Sequence, residues 1–241
     1  MNRTADCASA VEALYTIFES YSLHANTRAC PCCHTPADEG VLHAKPLREL
    51  SAKDLQMYTR DAILVWGSEA DFKHFLPRIF ELMTIVRDPM LDFTEPPWVF
   101  AKLRLGHWEN WAIKEQKAVR HYFATAWHSF LRSDPDNNGF TDSDDWICGI
   151  GQAEDDLRPY FALWEAEKSI EAVRHLCSLI LDHAFVQVDA RAQNFWADRK
   201  TQWAQVRQWL SGDAVRQILN DASSDWRNDA LDLAIQVLRP V

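Results

Sequence analysis

The chain has 241 residues, 47% of them hydrophobic, and a formal net charge of −10 at pH 7. Its length and apolar content support a sizeable buried core and exclude a disordered chain, while its negative charge repels phosphate backbones and anionic bilayers, so neither nucleic acid nor a membrane is an expected partner. The 7 glycines are too few for β-sandwiches or glycine-loop nucleotide folds, whereas the 11 tryptophans supply large rings to bury.

Val11, Leu14, Tyr15 and Phe18 repeat at helical spacing and predict a helix over residues 8–22. Residues 24–46 carry Pro31, Pro36, Gly40 and Pro46 and read as an irregular, cysteine-rich loop. A loop that long in a helical domain needs something to pin it. Ser51 with Asp54 three residues on resembles a capping box opening a helix over 54–66, with Leu55, Tyr58, Ala62 and Val65 on its buried face. Trp66-Gly67-Ser68 reads as a tight turn in which Gly67 takes the left-handed stop position and Ser68, with Asp71, caps the next helix, 69–87. Pro77 should kink or split that helix.

Pro96-Pro97 starts a short helix that ends at Gly106. Tyr122, Phe123, Ala126, Trp127, Phe130 and Leu131 mark the clearest helix, 113–132, and an acidic loop follows over 133–145. Two more helices are predicted over 154–166 and 168–187, the second with Ile170, Val173, Cys177, Ile180, Leu181 and Ala184 on one face. Residues 195–211 carry Trp196, Trp203 and Trp209 and stop at Gly212; a last helix, 225–238, would bury Trp226, Ala230, Leu233 and Val237. Strand signals are nearly absent. The pattern predicts an all-α fold, an irregular bundle or array of antiparallel helix pairs with about ten helices. It forms a single domain over 1–241, with the cysteine-rich loop at 24–46 and the acidic loop 133–145 as the place for any subdivision.

Cys30-Pro31-Cys32-Cys33-His34 is the densest chemistry in the chain. Cys30 and Cys33 have the two-residue gap that lets both sulfurs reach one zinc ion from a single turn. Cys32 is a spare, because adjacent side chains diverge. A tetrahedral site needs two further ligands, and there is no second CxxC. They are sought among His24, His34, His43, His74 and Cys7, with Cys32, His34 and His43 as substitutes within the loop. Packed, unliganded thiols and thiol redox chemistry compete with zinc; a thioredoxin-like motif would need a βαβ pattern, which is missing. In the acidic loop, Asp134, Asp136, Asn138 and Asp142 stand at the first, third, fifth and ninth positions of an EF-hand, Gly139 at the sixth and Asp145 at the twelfth. Thr141 and the short Asp145 depart from that calcium pattern. The competing reading is a helix cap by Asp142 or Ser143. The three tryptophans of 195–211 offer either core packing or a groove for a ligand. No HExxH, P-loop or GxSxG is present.

Cys30-Pro31-Cys32-Cys33, Pro46-Leu47-Arg48-Glu49-Leu50, Trp66-Gly67 and Asp71-Phe72-Lys73-His74-Phe75-Leu76-Pro77-Arg78 together resemble an uncharacterised bacterial protein family with a CPCC segment and a DFxHFLPR-like helix. The resemblance spans mainly residues 28–85, and more loosely the Trp108–Trp127 and Trp146–Trp164 regions. It carries no reaction with it. It implies that His74 and Arg78 share one signature with the cysteines, which makes His74 the preferred third metal ligand beside Cys30 and Cys33, and Arg78 a binding residue.

The N-terminal residues lack a signal pattern and no apolar run reaches bilayer length, so the expected location is the cytoplasm, where cysteines stay reduced. The expected function is an interaction or scaffold module that binds another protein, with a structural zinc clamping the cysteine loop. The alternative is an enzyme using Cys30, Cys33 and His74 as an open zinc site or a thiolate–imidazole pair, with Arg78 holding an anionic substrate. The sequence does not specify the oligomeric state.

Overall fold

A computed structural model describes residues 3–25, 27, 29–86, 95–137, 141–185, 195–226 and 228–238. These residues form twelve α-helices and no strand, an all-α array. None of the described helices is long and apolar enough to cross a membrane. The chain divides into two compact units, Met1–Ala126 and Trp127–Val241.

The first unit contains α1 (Arg3–Phe18), α2 (Pro36–His43), α3 (Ala52–Asp61), α4 (Glu69–Glu81), α5 (Pro96–Leu105) and most of α6 (Ile113–Leu131). α1 packs along α4, and each sinks an apolar stripe: Val11, Leu14 and Phe18 from one, Phe72, Phe75, Leu76, Ile79 and Phe80 from the other. Phe80 stacks on Tyr122 of α6 at 4.2 Å, and Phe123 meets Phe100 of α5 at 4.5 Å. Offset and tilted ring pairs of this kind add to the burial of their area.

Helix ends follow local chemistry. Both predicted capping boxes form: Ser51 and Ser68 each accept from the amide three residues on, and Asp54 and Asp71 return the bond. Gly67 takes φ +77°, the left-handed stop. Three expectations need correction. Residues 24–46 are not wholly irregular, because Thr35 and Asp38 form a third capping box and Pro36 sits in the first turn, where its missing N–H costs nothing. The helix expected over 54–66 stops at Asp61, since Ala62 turns extended and Ile63 takes φ +67°; Val65 is therefore 38% exposed rather than buried. Pro77 does not split α4, which continues to Glu81 and then as a π-helical stretch to Val86. One lost donor is outweighed by the burial of Phe75, Leu76, Ile79 and Phe80 around it.

The second unit contains the end of α6, then α7 (Ser143–Ala153), α8 (Arg158–Ala166), α9 (Ile170–Phe185), α10 (Lys200–Leu210), α11 (Asp213–Asp225) and α12 (Asp229–Val237). α9 is its axis, touched by α7, α11 and α12. Trp127 donates to Tyr160 O at 3.0 Å and Trp164 to Ala172 O at 3.0 Å, so these buried indoles are satisfied. Gly151 lets α7 approach Trp196: a Cβ there would lie 2.7 Å from the ring. Gly212 does end α10, but it is also the N-cap of α11, a helix the residue pattern did not announce. The last helix starts at Asp229, capped by Asn228, and buries Leu231 and Ala234, while Leu233 is 39% exposed. The expected buried set Trp226, Ala230, Leu233 and Val237 is thus out of phase with the real face: Trp226, Ala230 and Val237 are only half-buried. Residues 87, 186 and 187, and the side chain of Ala184, lie outside the described residues.

Candidate metal centre

The segment after α1 reaches the cysteines along a line of fixed contacts. His24 Nδ1 lies 2.7 Å from Asp71 Oδ1, and the His24 amide donates to the same oxygen at 3.3 Å. Burial works against ionising Asp71, but donors from Ser68 and His24 outweigh it and hold its carboxyl below the usual range. Thr27 is buried; its amide and hydroxyl both donate to Glu39 Oε1, at 2.6 and 2.8 Å, while its hydroxyl accepts from Trp66 Nε1 at 2.8 Å. The Cys30 amide then donates to Val65 O at 2.8 Å. On the far side of the cysteines, the His34 ring packs tilted against Trp66 at 4.3 Å, and its Nε2 lies 3.1 Å from Asp61 Oδ2. That approach is poorly directed, and among the described residues neither His34 ring nitrogen has a well-aligned hydrogen-bond partner. Trp66, 1% exposed, is gripped on both sides of the turn by the arm it anchors.

Between these anchors the chain makes one tight turn. The amides of Cys33 and His34 both donate to Cys30 O at 3.0 Å. The three sulfurs converge: Cys30 and Cys32 Sγ lie 2.7 Å apart, Cys32 and Cys33 Sγ 3.5 Å, and all three fall within 4.8 Å of one another. This group can hold a metal ion. On a tetrahedral zinc with bonds of about 2.3 Å, ligand sulfurs stand about 3.8 Å apart, so the turn has to open the Cys30–Cys32 contact by about 1 Å. The Cys32 thiol, with the amides of Cys32 and Cys33, faces the Cys30 sulfur and pulls its pKa down, while the Cys30 and Cys33 sulfurs beside it push Cys32 up to about 11. Cys32 and Cys33 are exposed, Cys30 half-buried.

Among the described residues no histidine, aspartate or glutamate joins the three sulfurs within that distance. His74 Nδ1 is engaged 2.9 Å from Tyr21 O, and the ring lies edge-on to Phe75. His43 is exposed at the end of α2, Cys7 is buried on α1 with its sulfur near Thr125 O, and His34 is committed to Trp66. Arg78 ties two elements together, donating to Leu50 O at 2.7 Å and to Glu81 Oε2 at 2.6 Å. The part that residue spacing did not reach is the anchor: Thr27, Asp61 and Trp66 are distant in sequence, and only their helices bring them together.

In the acidic loop, Arg174 takes Asp134 at 2.8 Å and Asp136 at 2.7 Å. Asp142 is the N-cap of α7 and Asp145 completes its capping box. Asn138 and Gly139 lie outside the described residues. Trp209 stacks on Phe161 at 4.7 Å and lines, with Glu165, an open groove of about 600 Å³ in the second unit, whereas Trp196 packs on Trp203. Comparison with known protein families, curated proteins and solved structures gives no match.

Proposed function

We propose that this chain is a zinc-binding interaction module whose partner is another protein and whose metal sits on the outer face of the first unit. The observation that carries this is the convergence of Cys30, Cys32 and Cys33 within 4.8 Å on one turn. Thiolates are soft ligands that suit zinc, and zinc brings no redox chemistry of its own. Thiolate coordination calls for a reducing compartment such as the cytoplasm. The ion's task is to present a rigid, charged surface. The Thr27–Trp66 bond and the Cys30–Val65 bond already fasten the arm, so fastening it does not require the metal.

Metal analysis of protein purified without chelator tests this. Zinc should co-purify and be lost in Cys30→Ser, and chelation should leave the far-ultraviolet dichroism unchanged. Protein free of zinc, with the turn thiols titrating freely, would end the proposal.

One observation favours a second reading: the 2.7 Å contact between the sulfurs of Cys30, whose pKa is lowered, and Cys32, whose pKa is raised. In that reading Cys30 attacks a substrate disulfide and Cys32 resolves the mixed disulfide; the substrate leaves as two thiols and the turn gains one S–S bond. Trapping of a stable mixed disulfide in Cys32→Ser but not in Cys30→Ser would support it.

A further inference from the structure

We infer that the zinc site is completed by a second copy of this chain, Cys30 and Cys33 of each copy binding one shared ion on a two-fold axis. This rests on the zinc reading and adds the partner. The first support is ligand arithmetic. A closed tetrahedral site takes four protein ligands, and among the described residues the turn gathers three sulfurs and nothing else. The two-residue gap of Cys30 and Cys33 brings both sulfurs to one ion from a single turn, so each turn delivers that pair and leaves Cys32, 3.5 Å from Cys33, beside it. Two such pairs make four thiolates with no other component.

The second support is access. Recruiting His34 instead would strip its ring from Trp66 and abandon Asp61. Of the two ligands, Cys33 is exposed and Cys30 half-buried, so another chain can reach the turn.

The third is the surface beside them. Cys30 is bonded to Val65, and Leu64 and Val65 are 59% and 38% exposed. They are held outward by Ile63, a β-branched residue at φ +67°, a strained conformation that the Ile63–Trp66 backbone bond maintains. An isologous contact through the turn would cover this apolar edge on both copies, since each meets the same patch of the other.

The test uses the full chain, purified reduced and without chelator, with mass by light scattering and zinc counted per chain. The expected result is about 0.5 zinc per chain on a particle of about twice the monomer mass. Chelation should return it to monomer, and added zinc should restore it. Cys33→Ser should be monomeric and bind less than a tenth of the zinc, whereas Cys32→Ser should keep both dimer and stoichiometry. Leu64→Glu should weaken the dimer at least tenfold. Chelation and re-addition need no mutant, so misfolding of a variant leaves the test intact. One zinc per monomer would overturn the shared site while leaving a zinc-binding turn, with His34 or water as the fourth ligand. A dimer that survives chelation would overturn it as well. Protein that binds no zinc would sink the function proposed above together with this inference.

Discussion

Replacing Thr27 by Val tests the mooring of the cysteine arm. Valine keeps the shape of the side chain but removes the oxygen that accepts from Trp66 Nε1 and the hydroxyl that donates to Glu39. A buried indole N–H left without an acceptor costs about 1–3 kcal/mol, and a hydrogen bond to a charged carboxylate about 1.5 kcal/mol or more. The Thr27 amide still reaches Glu39, so part of that contact survives. The expected loss is about 2–3 kcal/mol. Trp66→Phe removes the same N–H together with ring volume. If the Thr27–Trp66 bond does what its geometry implies, Thr27→Val should cost about 1 kcal/mol less in the Trp66→Phe background than alone. Urea unfolding followed by far-ultraviolet dichroism on the two single variants and the double variant measures this. A Thr27→Val loss below about 0.5 kcal/mol, or strictly additive losses, would refute the reasoning.

His175 is buried against Phe130 and its pKa is pushed down to about 4, chiefly by burial. Folding therefore keeps it neutral while the unfolded chain takes a proton below pH 6.5, so stability drops as pH falls from 6.5 to 4, by about 3 kcal/mol. His175→Gln should flatten that part of the pH–stability curve; an unchanged acid slope would contradict the assignment. Gly151→Ala should lose about 1–3 kcal/mol in thermal or urea unfolding despite alanine's better helix propensity, because the new methyl meets the Trp196 ring. Lys102 is buried with its ammonium on Arg60 O, and burial lowers its pKa to about 8. Lys102→Met should stabilise the chain at pH 7 by about 2 kcal/mol, allowing for partial screening, and the gain should vanish as pH rises through 8 toward 10.5.

What could be read from the residues alone was whatever depends on near neighbours. Ser51 with Asp54 and Ser68 with Asp71 announce helix starts because both partners lie within one turn, and Gly67 announces a stop because only its own φ is at stake. The all-α class follows from long apolar stripes such as that of α6. The errors share a cause in tertiary packing. Helical spacing puts Val65 on a buried face, but the pull of Trp66 into the core ends α3 early and turns Val65 out. α12 was phased by residue type, yet Asn228 and the fit against α9 choose Leu231 and Ala234. At the site, the convergence of three cysteines within four residues is local and was legible. The pairing of that turn with Trp66 and Asp61 was not, since it depends on where α2 and α3 come to rest, and α2 itself was hidden by the prolines around it.

The six cysteines are sorted by depth. Cys7, Cys148 and Cys177 are buried on helices, where desolvation pushes Cys148 far up and Cys177 up to about 12. An alkylating reagent applied to the native chain will thus mark the turn alone, at no more than three positions, and saturation there can be followed by mass without unfolding anything. The cysteine turn carries its own handle for a dye or a cross-linker, with no engineered cysteine required.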